Sequence, residues 1–461
     1  MGGGLMSRQI SPLDGRYADK VGHLGEYFSE FALMEARTQV ECAYLMAQEE
    51  TGLWPRLSVD RKAAIQTTME NFDENDFDRI KAIEESTRHD VKSVELFLRE
   101  QLALPDPNRI HFGLTSEDVN NLAFSMMLDG YRTDEQLPLL ADLLATLRTM
   151  AAELRDAPMP TRTHGQKASP STAGKEIAVH LERLLRLYER LDGFIFRAKL
   201  NGATGNWSAF VAAFPKFDWI DFSENFVRRL GFKPNLATTQ IEDHDAWAEY
   251  LNLTRQIANV LIDLDRDCWF YLSLGFFKAR TDRAAVGSST MPHKVNPIRF
   301  ENSEGNLEVA LGLLGALSDK LARARLQRDL SDSTATRNIG VALAHVHLAM
   351  LETLGGLETL EYNEARCLEE LDASPELLAE PVQTILRTAG VDDPYELLKK
   401  ATRGRAVTRE ELLALVEGLD IPEDAKAQCR ALRVRDYVGL AAMVCDRVVA
   451  RADEVLKEVE G

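Results

Sequence analysis

The chain has 461 residues, of which 45% are hydrophobic and 28% charged, a composition typical of globular rather than disordered proteins. Its 73 acidic and 54 basic residues give a net charge of -19, which argues against a nucleic-acid-binding protein because such a protein needs a basic face. The five scattered cysteines include no CxxC pair, which favours reduced thiols over a disulfide framework or a zinc site.

Helical periodicity dominates the chain. Before about residue 110 the predicted helices are short and are interrupted by "GLWPRLS" and "ALPDPN". Long helices are then predicted at 137–156, from Ser169 and Pro170 onwards, from Asn252 to about Lys278, at about 302–323, and from Asn338 to about Leu357. After about residue 363 the helices are again shorter and are interrupted by Pro and Gly, and a few short strands are expected near 201–245.

The helix predicted to start at Ser169 shows the pattern most clearly. Its apolar positions step by three or four residues, at Ile177, Leu181, Leu184, Tyr188, Leu191 and Ile195. Several such helices joined by short loops indicate a bundle with an extended core. We therefore expect an all-α protein of three helical domains, at 1–110, 111–362 and 363–461. No apolar run approaches the ~18 residues of a membrane span and no signal peptide is evident, so we expect a cytoplasmic protein without membrane contact.

Polar residues concentrate in five segments at predicted helix ends: "STRHD" (86–90), "HFGLTSEDVNN" (111–121), "RTHGQKASPST" (162–172), "GSSTMPHKVNP" (287–297) and "QRDLSDSTATRN" (327–338). Helix N-termini offer free N–H groups and partial positive charge, which suits carboxylates or phosphate. For any single segment, simple helix capping explains the residues as well. Five segments of the same kind favour a binding site. The chain has no GxGxxG, GxxxxGK[ST] or HExxH pattern, so we expect no cofactor and no catalytic metal.

The histidines divide by their surroundings. His164, in a Gly-containing loop, and His89, beside Asp90, are the candidates for acid–base chemistry, since imidazole titrates near neutral pH. We predict structural roles for three histidines within apolar helices, His180, His345 and His347. His23 and His244 remain undecided.

The segment "GSSTMPHKVN" resembles the GSSxMPxKxN signature of the fumarase/aspartase lyase superfamily. Within that superfamily the chain is similar to the adenylosuccinate lyase family, through "SPLDGRY", "TRHDVKSVE", "HFGLTSEDVNNL", "RTHGQ", "TTQIE" and "RDLSDSTATRN" in order. The likeness runs from about Ser11 almost to the end. It implies an all-helical subunit of three domains and a homotetramer whose active sites are each assembled from three subunits.

The resemblance also implies a reaction, the elimination of fumarate from succinylated purine ribotides. Carried over by position, Ser288 is the base that removes a carbon-bound proton, His164 is the acid that protonates the departing nitrogen, and Glu301 orients His164. A serine base needs its pKa lowered by roughly six units, on the order of 8 kcal/mol. We expect Lys294 and a helix N-terminus to contribute once the loop, hinged at Gly287, closes on the substrate. Ser288 and Ser289 are adjacent, so the assignment of the base rests on the resemblance alone.

The remaining site residues are likewise implied by the resemblance. Lys294 and Asn296 hold the succinyl carboxylates with Thr115 and Ser116. The phosphate falls to Arg16, Tyr17, Ser333 and Arg337. The rest of the substrate shell comprises Arg88, His89, Asp90, Gln240, Ser289, Val295, Asn302 and Arg328.

Two positions depart from the family pattern. Lys167 follows "THGQ" where Pro is common, and Arg88 stands where a small polar residue is frequent, which bears on phosphate contacts. The alternatives are another fumarate-releasing lyase, such as argininosuccinate lyase, aspartase or fumarase, and a catalytically silent helical protein. The latter is expected to lack Ser288 or His164, and both are present.

Overall fold

Helices form most of the computed structural model, which describes residues 9–280, 296–402 and 408–460. The described α-helices are α1 Ala18–Val21, α2 Gly25–Phe28, α3 Glu30–Thr51, α4 Val59–Glu70, α5 Glu74–Thr87, α6 Asp90–Leu102, α7 Ser116–Tyr131, α8 Leu137–Glu153, α9 Ala173–Asp192, α10 Ser208–Ala213, α11 Trp219–Arg229, α12 Asp245–Leu274, α13 Ile298–Leu321, α14 Ser331–Thr336, α15 Ile339–Leu357, α16 Glu364–Asp372, α17 Ala379–Thr388, α18 Pro394–Thr402, α19 Arg409–Glu417, α20 Glu423–Ala431 and α21 Ala441–Glu460. Short 3-10 turns lie at Gly22–Leu24, Pro107–Arg109, Pro375–Leu378 and Val434–Asp436, and a π-helical turn, Arg132–Gln136, joins α7 to α8. The predicted all-α class is confirmed.

The described strands are short and pair two by two. They are β1 Pro158–Thr163 with β2 Gln166–Thr172, β3 Arg197–Ala198 with β4 Lys233–Pro234, and β5 Phe277–Ala279 with β6 Leu360–Tyr362. The first and last pairs are antiparallel and the middle pair is parallel. Only β4 falls in the range where strands were expected.

The helix α9 confirms the predicted apolar stripe but not its ends. Leu181, Leu184 and Leu191 are fully buried. The predicted start at Ser169 and Pro170 is wrong, because both residues lie in β2 and the helix begins at Ala173. Ile195 lies beyond the end of the helix and is 45% exposed. Ser and Pro permit a helix start, but strand pairing with β1 overrides that local preference here.

The other long helices match their predictions within a few residues, except that α12 begins seven residues before the predicted Asn252. Its inward positions Leu253, Ile257 and Leu261 are buried as the periodicity requires. The segment 162–172 was predicted as a loop and is instead most of a β-hairpin.

The chain divides into two compact units. The first comprises Met1–Leu140, Leu187–Asn259 and Ser303–Leu351, and the second comprises Ala141–Arg186, Val260–Asn302 and Glu352–Gly461. One apolar cluster of the first unit lies within residues 34–110, and one of the second lies within residues 371–434. The three-domain division at 110 and 362 stays a prediction.

Within the described residues, the stretch Ser331–Leu357 is long and apolar enough to pass a test for a membrane span, with a mean hydropathy of 1.3. However, 72% of that window is buried inside the protein, as in the core helix of a bundle. The five cysteines are all buried and free, in agreement with the predicted reduced thiols.

Candidate active site

Arg88 and His89 join α5 to α6, and both are exposed. Arg88 ends α5 in the left-handed region, with a φ of 53°. A non-glycine residue there costs about 1–3 kcal/mol, and such strain is often found at functional sites. His89 caps α6, since its Nδ1 accepts a bond from the Lys92 amide at 3.3 Å. In the neutral ring the proton is therefore on Nε2, which can donate to a ligand.

Asp90 draws together two arginines that are distant in sequence. Its Oδ2 lies 2.9 Å from Nη2 of buried Arg37 and 3.4 Å from Nη2 of half-exposed Arg337. Burial disfavours the ionised carboxyl, but the charges of Arg37 and Arg337 prevail and keep the pKa of Asp90 below its usual range. Arg337 is thus held in place while keeping N–H donors for an anion.

A cavity of about 20 Å³ adjoins this charge cluster in the first unit. It is lined by Leu33, Arg37, Glu117, Asn120, Phe124, His244, Trp247, Asp332, Ser333, Thr336 and Arg337. Two predicted phosphate-binding residues, Ser333 and Arg337, therefore share one cavity. The Ser333 amide donates to the Asp332 carboxylate at 2.6 Å, which fixes the start of α14.

The N-terminus of α7 is anchored by a buried carboxylate. Asp118 accepts bonds from the amides of Thr115 at 2.8 Å, Asn201 at 2.9 Å and Gly202 at 3.2 Å. The Lys199 ammonium lies 3.1 Å away, and both charged side chains are fully buried. Thr115 and Ser116, which precede Asp118 at the helix start, are half-buried. The backbone at this predicted carboxylate-binding position is therefore rigidly held.

Arg328 and Gln240, both predicted to belong to the substrate shell, are in direct contact. Arg328 Nη1 donates to Gln240 Oε1 at 3.2 Å, and its Nη2 lies 2.9 Å from Glu117 Oε1. Burial raises the pKa of Glu117, an effect that the charge of Arg328 opposes. The Arg328 Nε is buried and has no partner among the described residues. Glu117 therefore positions the guanidinium while leaving one donor unsatisfied.

His244, which the sequence left undecided, is a buried neutral residue of the same cavity. Burial lowers its pKa to about 4, against the opposing charge of Asp332. Its ring stacks on Trp247 at 4.3 Å between centroids, and its φ is 60°. Its Nδ1 has no hydrogen-bond partner in the part of the chain that the structure describes. A ring that is neutral at pH 7 can serve as a hydrogen-bonding or packing group but not as a cation.

Arg16 and Tyr17 precede α1 in the first unit. The Arg16 guanidinium lies 5.8 Å from the centre of the Tyr17 ring, a cation–π distance. Arg16 is exposed and Tyr17 is half-buried. The proposed phosphate set of Arg16, Tyr17, Ser333 and Arg337 stays a prediction.

The predicted acid, His164, occupies the tip of the β1–β2 hairpin in the second unit. Thr163 pairs with Gln166, so His164 and Gly165 form a two-residue turn in which both φ angles are positive, 53° and 74°. That is the pattern of a type I′ turn, which matches the twist of the flanking strands. His164 is exposed and lies in the turn, outside the paired residues of β1 and β2.

Side chains from the hairpin brace it against the C-terminal part of the same unit. Arg162 forms an ion pair with Glu370, and the Lys167 ammonium donates to the Ser374 hydroxyl at 2.7 Å. Ser169 bonds to Glu380. Lys167, which departs from the family pattern, is thus a structural contact here. These anchors hold the base of the hairpin while its tip remains accessible.

Glu301 lies at the start of α13 and is exposed. Its Oε1 accepts a bond from Trp269 Nε1 at 3.1 Å. Within the described part of one chain, no hydrogen bond joins Glu301 to His164, so its orienting role stays a prediction. Asn296 and Asn302 are half-buried near the same helix start, and both have interaction partners.

Four site predictions lie outside the described residues: Ser288, Ser289, Lys294 and Val295. The hinge Gly287 also lies there. Of the other predictions, the structure joins Asp90 to Arg337 and Gln240 to Arg328, and it places Ser333 with Arg337 in one cavity. It does not join His164 to Glu301 within the described chain.

Several positioning residues escaped the sequence reasoning. Glu117 and Asp118 lie inside the segment "HFGLTSEDVNN", and two adjacent carboxylates at a predicted helix start could have indicated their positioning role. Arg37 and Lys199 had no such signal, because one lies within a long helix and the other follows a short strand. Their burial at 2% and 1% becomes visible only in the fold.

Comparison with known proteins gives matches over most of the chain. The family described as lyase matches residues 15–312, and the one described as adenylosuccinate lyase C-terminal matches residues 324–438. The adenylosuccinate lyases of Escherichia coli (strain K12) and Haemophilus influenzae are each 44% identical over 447 residues, covering 95% of this chain and 98% of each relative. That of Vibrio cholerae is also 44% identical, over 448 residues.

Two solved structures show the same fold. A fumarate lyase from Mesorhizobium sp. BNC1 has a TM-score of 0.77 at 20% identity, covering 93% of this chain and 97% of that one. A 3-carboxy-cis,cis-muconate lactonizing enzyme from Pseudomonas putida has a TM-score of 0.77 at 23% identity, covering 96% and 100%. At these identities the structures support the fold alone.

Proposed function

Because the chain belongs to the adenylosuccinate lyase family, we propose that it eliminates fumarate from adenylosuccinate, giving AMP, and from the succinylated aminoimidazole carboxamide ribotide (SAICAR), giving AICAR. The observation that carries the proposal is the 44% identity to adenylosuccinate lyases across 95% of the chain. Both reactions belong to purine nucleotide biosynthesis, and the enzyme is a carbon–nitrogen lyase. Composition and homologues fit a cytoplasmic enzyme that acts on small molecules, without nucleic-acid or membrane partners.

The charge cluster around Asp90 supports a phosphate subsite in the first unit. Arg337 is half exposed and oriented by Asp90, so its forked guanidinium can bind two phosphate oxygens. The Ser333 hydroxyl, Arg16 and Tyr17 complete the proposed subsite. Arg88 and His89 directly precede Asp90 in the sequence. A phosphate gives these arginines a task that fumarate alone does not.

The α7 N-terminus supports binding of the succinyl carboxylates. Thr115 and Ser116 stand where the helix has free N–H groups and partial positive charge. Asp118 fixes the Thr115 backbone, so binding a carboxylate requires little reorganisation. We propose that Lys294 and Asn296 hold the same carboxylates, with His89, Gln240, Arg328 and Asn302 around the rest of the substrate.

The chemistry requires one base and one acid. We propose that Ser288 takes the proton from the carbon next to a carboxylate, which produces an aci-carboxylate dianion, and that His164 protonates the departing nitrogen. Glu301 orients His164. The Ser288 pKa must fall by roughly six units, on the order of 8 kcal/mol, and exclusion of water near Lys294 strengthens every charge interaction that contributes.

Proteins of this family are typically oligomers, and we propose that this chain forms a homotetramer with shared active sites. A stripe of Gly305, Val309, Gly312 and Ala316 on α13 is exposed. Val309 is 50% exposed, and a Cβ added at Gly305 or Gly312 meets no other described group within 4 Å. The heptad-like spacing suits close packing of a helix from another chain. Because no hydrogen bond joins His164 to Glu301 within the described part of one chain, the proposed pairing of these two residues suits a site completed by a second subunit.

The proposal is tested by adding purified tag-free protein to adenylosuccinate and following the loss of its ultraviolet absorbance. SAICAR is tested in parallel, and argininosuccinate serves as the substrate of the rival lyase. His164→Gln, which keeps a polar side chain at an exposed turn, is the matched control and should lose nearly all turnover. Turnover of argininosuccinate without turnover of adenylosuccinate would contradict the proposal.

A further inference from the structure

Three residues with metal-binding side chains meet in the first unit, apart from the proposed substrate residues. They are His23 in the 3-10 turn Gly22–Leu24, Glu135 in the π-helical turn Arg132–Gln136, and His347 in α15. One potential ligand atom from each lies within 4.8 Å of the other two. His23 Nε2 and Glu135 Oε2 are 3.2 Å apart, and the rings of the two histidines meet edge to face at 5.4 Å.

His347 is the anchor of this set. It is 3% exposed, and its Nδ1 is buried with no hydrogen-bond partner among the described residues. A buried polar atom left unpaired destabilises the folded state. His345, two residues earlier on the same helix, shows the usual solution, since its Nδ1 pairs with Asn306 Oδ1 at 2.8 Å. His347 therefore has bonding capacity that the described fold does not use.

The other two residues supply access and charge. The His23 side chain is 43% exposed and that of Glu135 is 25% exposed, so solvent reaches the set from one side. Asp134, next to Glu135, lies 3.5 Å from the Tyr27 hydroxyl and adds a second carboxylate nearby. This negative charge favours a cation. A π-helical turn inside a helix is itself frequent at functional sites.

We propose that His23, Glu135 and His347 bind one divalent transition-metal ion of the Zn²⁺ and Co²⁺ type. Two imidazoles with one carboxylate suit such ions, whereas Mg²⁺ and Ca²⁺ prefer oxygen ligands alone. Tetrahedral binding with bonds of about 2.0–2.1 Å places ligand atoms roughly 3.4 Å apart. The His23–Glu135 pair already meets that spacing at 3.2 Å. The three ligand atoms lie within 4.8 Å of one another, so they must approach by up to about 1.4 Å more. Rotation of the solvent-accessible His23 and Glu135 side chains supplies this movement, and water takes the fourth position.

The ion would join three segments that are far apart in sequence. The His23 turn lies only a few residues after Arg16 and Tyr17, so the metal braces the part of the chain that carries these two side chains. Since binding requires the folded arrangement of all three ligands, it stabilises the folded state by mass action. The role is structural and does not enter the elimination reaction.

The test uses full-length tag-free protein, stripped of metal with a chelator and titrated with Co²⁺. We expect visible absorption bands that saturate at one Co²⁺ per chain, and a melting temperature that rises with bound Co²⁺. His23→Ala and Glu135→Gln should weaken Co²⁺ binding at least about tenfold. Both positions are solvent-accessible, so we expect these variants to keep the fold. Glu26→Gln removes a neighbouring exposed charge outside the set and should bind as the wild type does.

Absence of saturable Co²⁺ binding by the folded wild-type protein would overturn the proposal. Binding that His23→Ala leaves unchanged would also overturn it, because the ion would then lie elsewhere. Equal weakening by Glu26→Gln and Glu135→Gln would show attraction by general negative charge only, and would overturn it as well.

Discussion

The buried pair of Asp118 and Lys199 gives the sharpest stability prediction. Both side chains are fully buried, with 3.1 Å between the charged atoms. Removing one partner of such a pair costs about 3–5 kcal/mol in free energy of unfolding, because the other charge stays buried without compensation. The two single variants should nevertheless differ, since the two partners keep different numbers of other bonds.

In Lys199→Met the carboxylate keeps three backbone amides as donors, those of Thr115, Asn201 and Gly202. We expect a loss near the lower end, about 3 kcal/mol. In Asp118→Ala the ammonium keeps the Gly202 carbonyl as an acceptor at 3.0 Å, and three backbone amides lose their acceptor. We expect a loss of about 5 kcal/mol or more.

The double variant should lose about 2 kcal/mol less than the sum of the single losses, because no buried charge is then left alone. Urea unfolding at one fixed chain concentration, followed by circular dichroism, measures all four proteins. Lys199→Met within about 1 kcal/mol of the wild type, or additive losses in the double variant, would refute the reasoning.

The remaining predictions concern pH, assembly and the base. The folded pKa of His244, about 4, lies below its value of 6.5 in the unfolded chain, so the unfolded chain binds more protons between these values. As pH falls from 6.5 to 4, this residue should lower the free energy of unfolding by about 3 kcal/mol. His244→Asn should lack this pH-dependent loss in urea unfolding. The prediction is contradicted if the free energy of unfolding falls equally with pH in the wild type and the variant. Gly312→Leu should leave the circular dichroism spectrum intact but reduce the mass measured by light scattering, with Gly312→Ala milder; an unchanged mass would exclude the stripe from the interface. Ser288→Ala should abolish turnover while substrate affinity stays within about threefold, and calorimetry showing lost affinity would make Ser288 a binding residue.

Much of the fold could be predicted from periodicity. The stripe of α9 and the inward positions of α12 were correct because a 3.6-residue repeat reports directly on a buried face. The helix starts were less accurate, as at Ser169, because the pairing of β2 with the adjacent strand β1 competes with a local capping signal. The β1–β2 hairpin was missed because its strands show little apolar alternation, although its tip "HG" forms the turn.

For the site, motifs located the polar segments but not the groups that hold them. Arg337 and Asp90 were both predicted, yet their contact at 3.4 Å depends on how α6 and α14 pack. Arg37 lies within α3 among ordinary helical residues, so no sequence pattern indicated a buried guanidinium there. Such buried charges are determined by tertiary packing, which one sequence does not display.

The central claim is that fumarate is released at sites that combine Ser288 and His164 from different subunits. The most direct measurement mixes inactive Ser288→Ala and His164→Ala chains, exchanges their subunits, and assays adenylosuccinate cleavage. If the two groups come from different chains, random mixing restores about a quarter of the sites, and activity returns in that proportion. No recovery after subunit exchange verified by mass spectrometry would contradict the account, since both groups would then come from one chain.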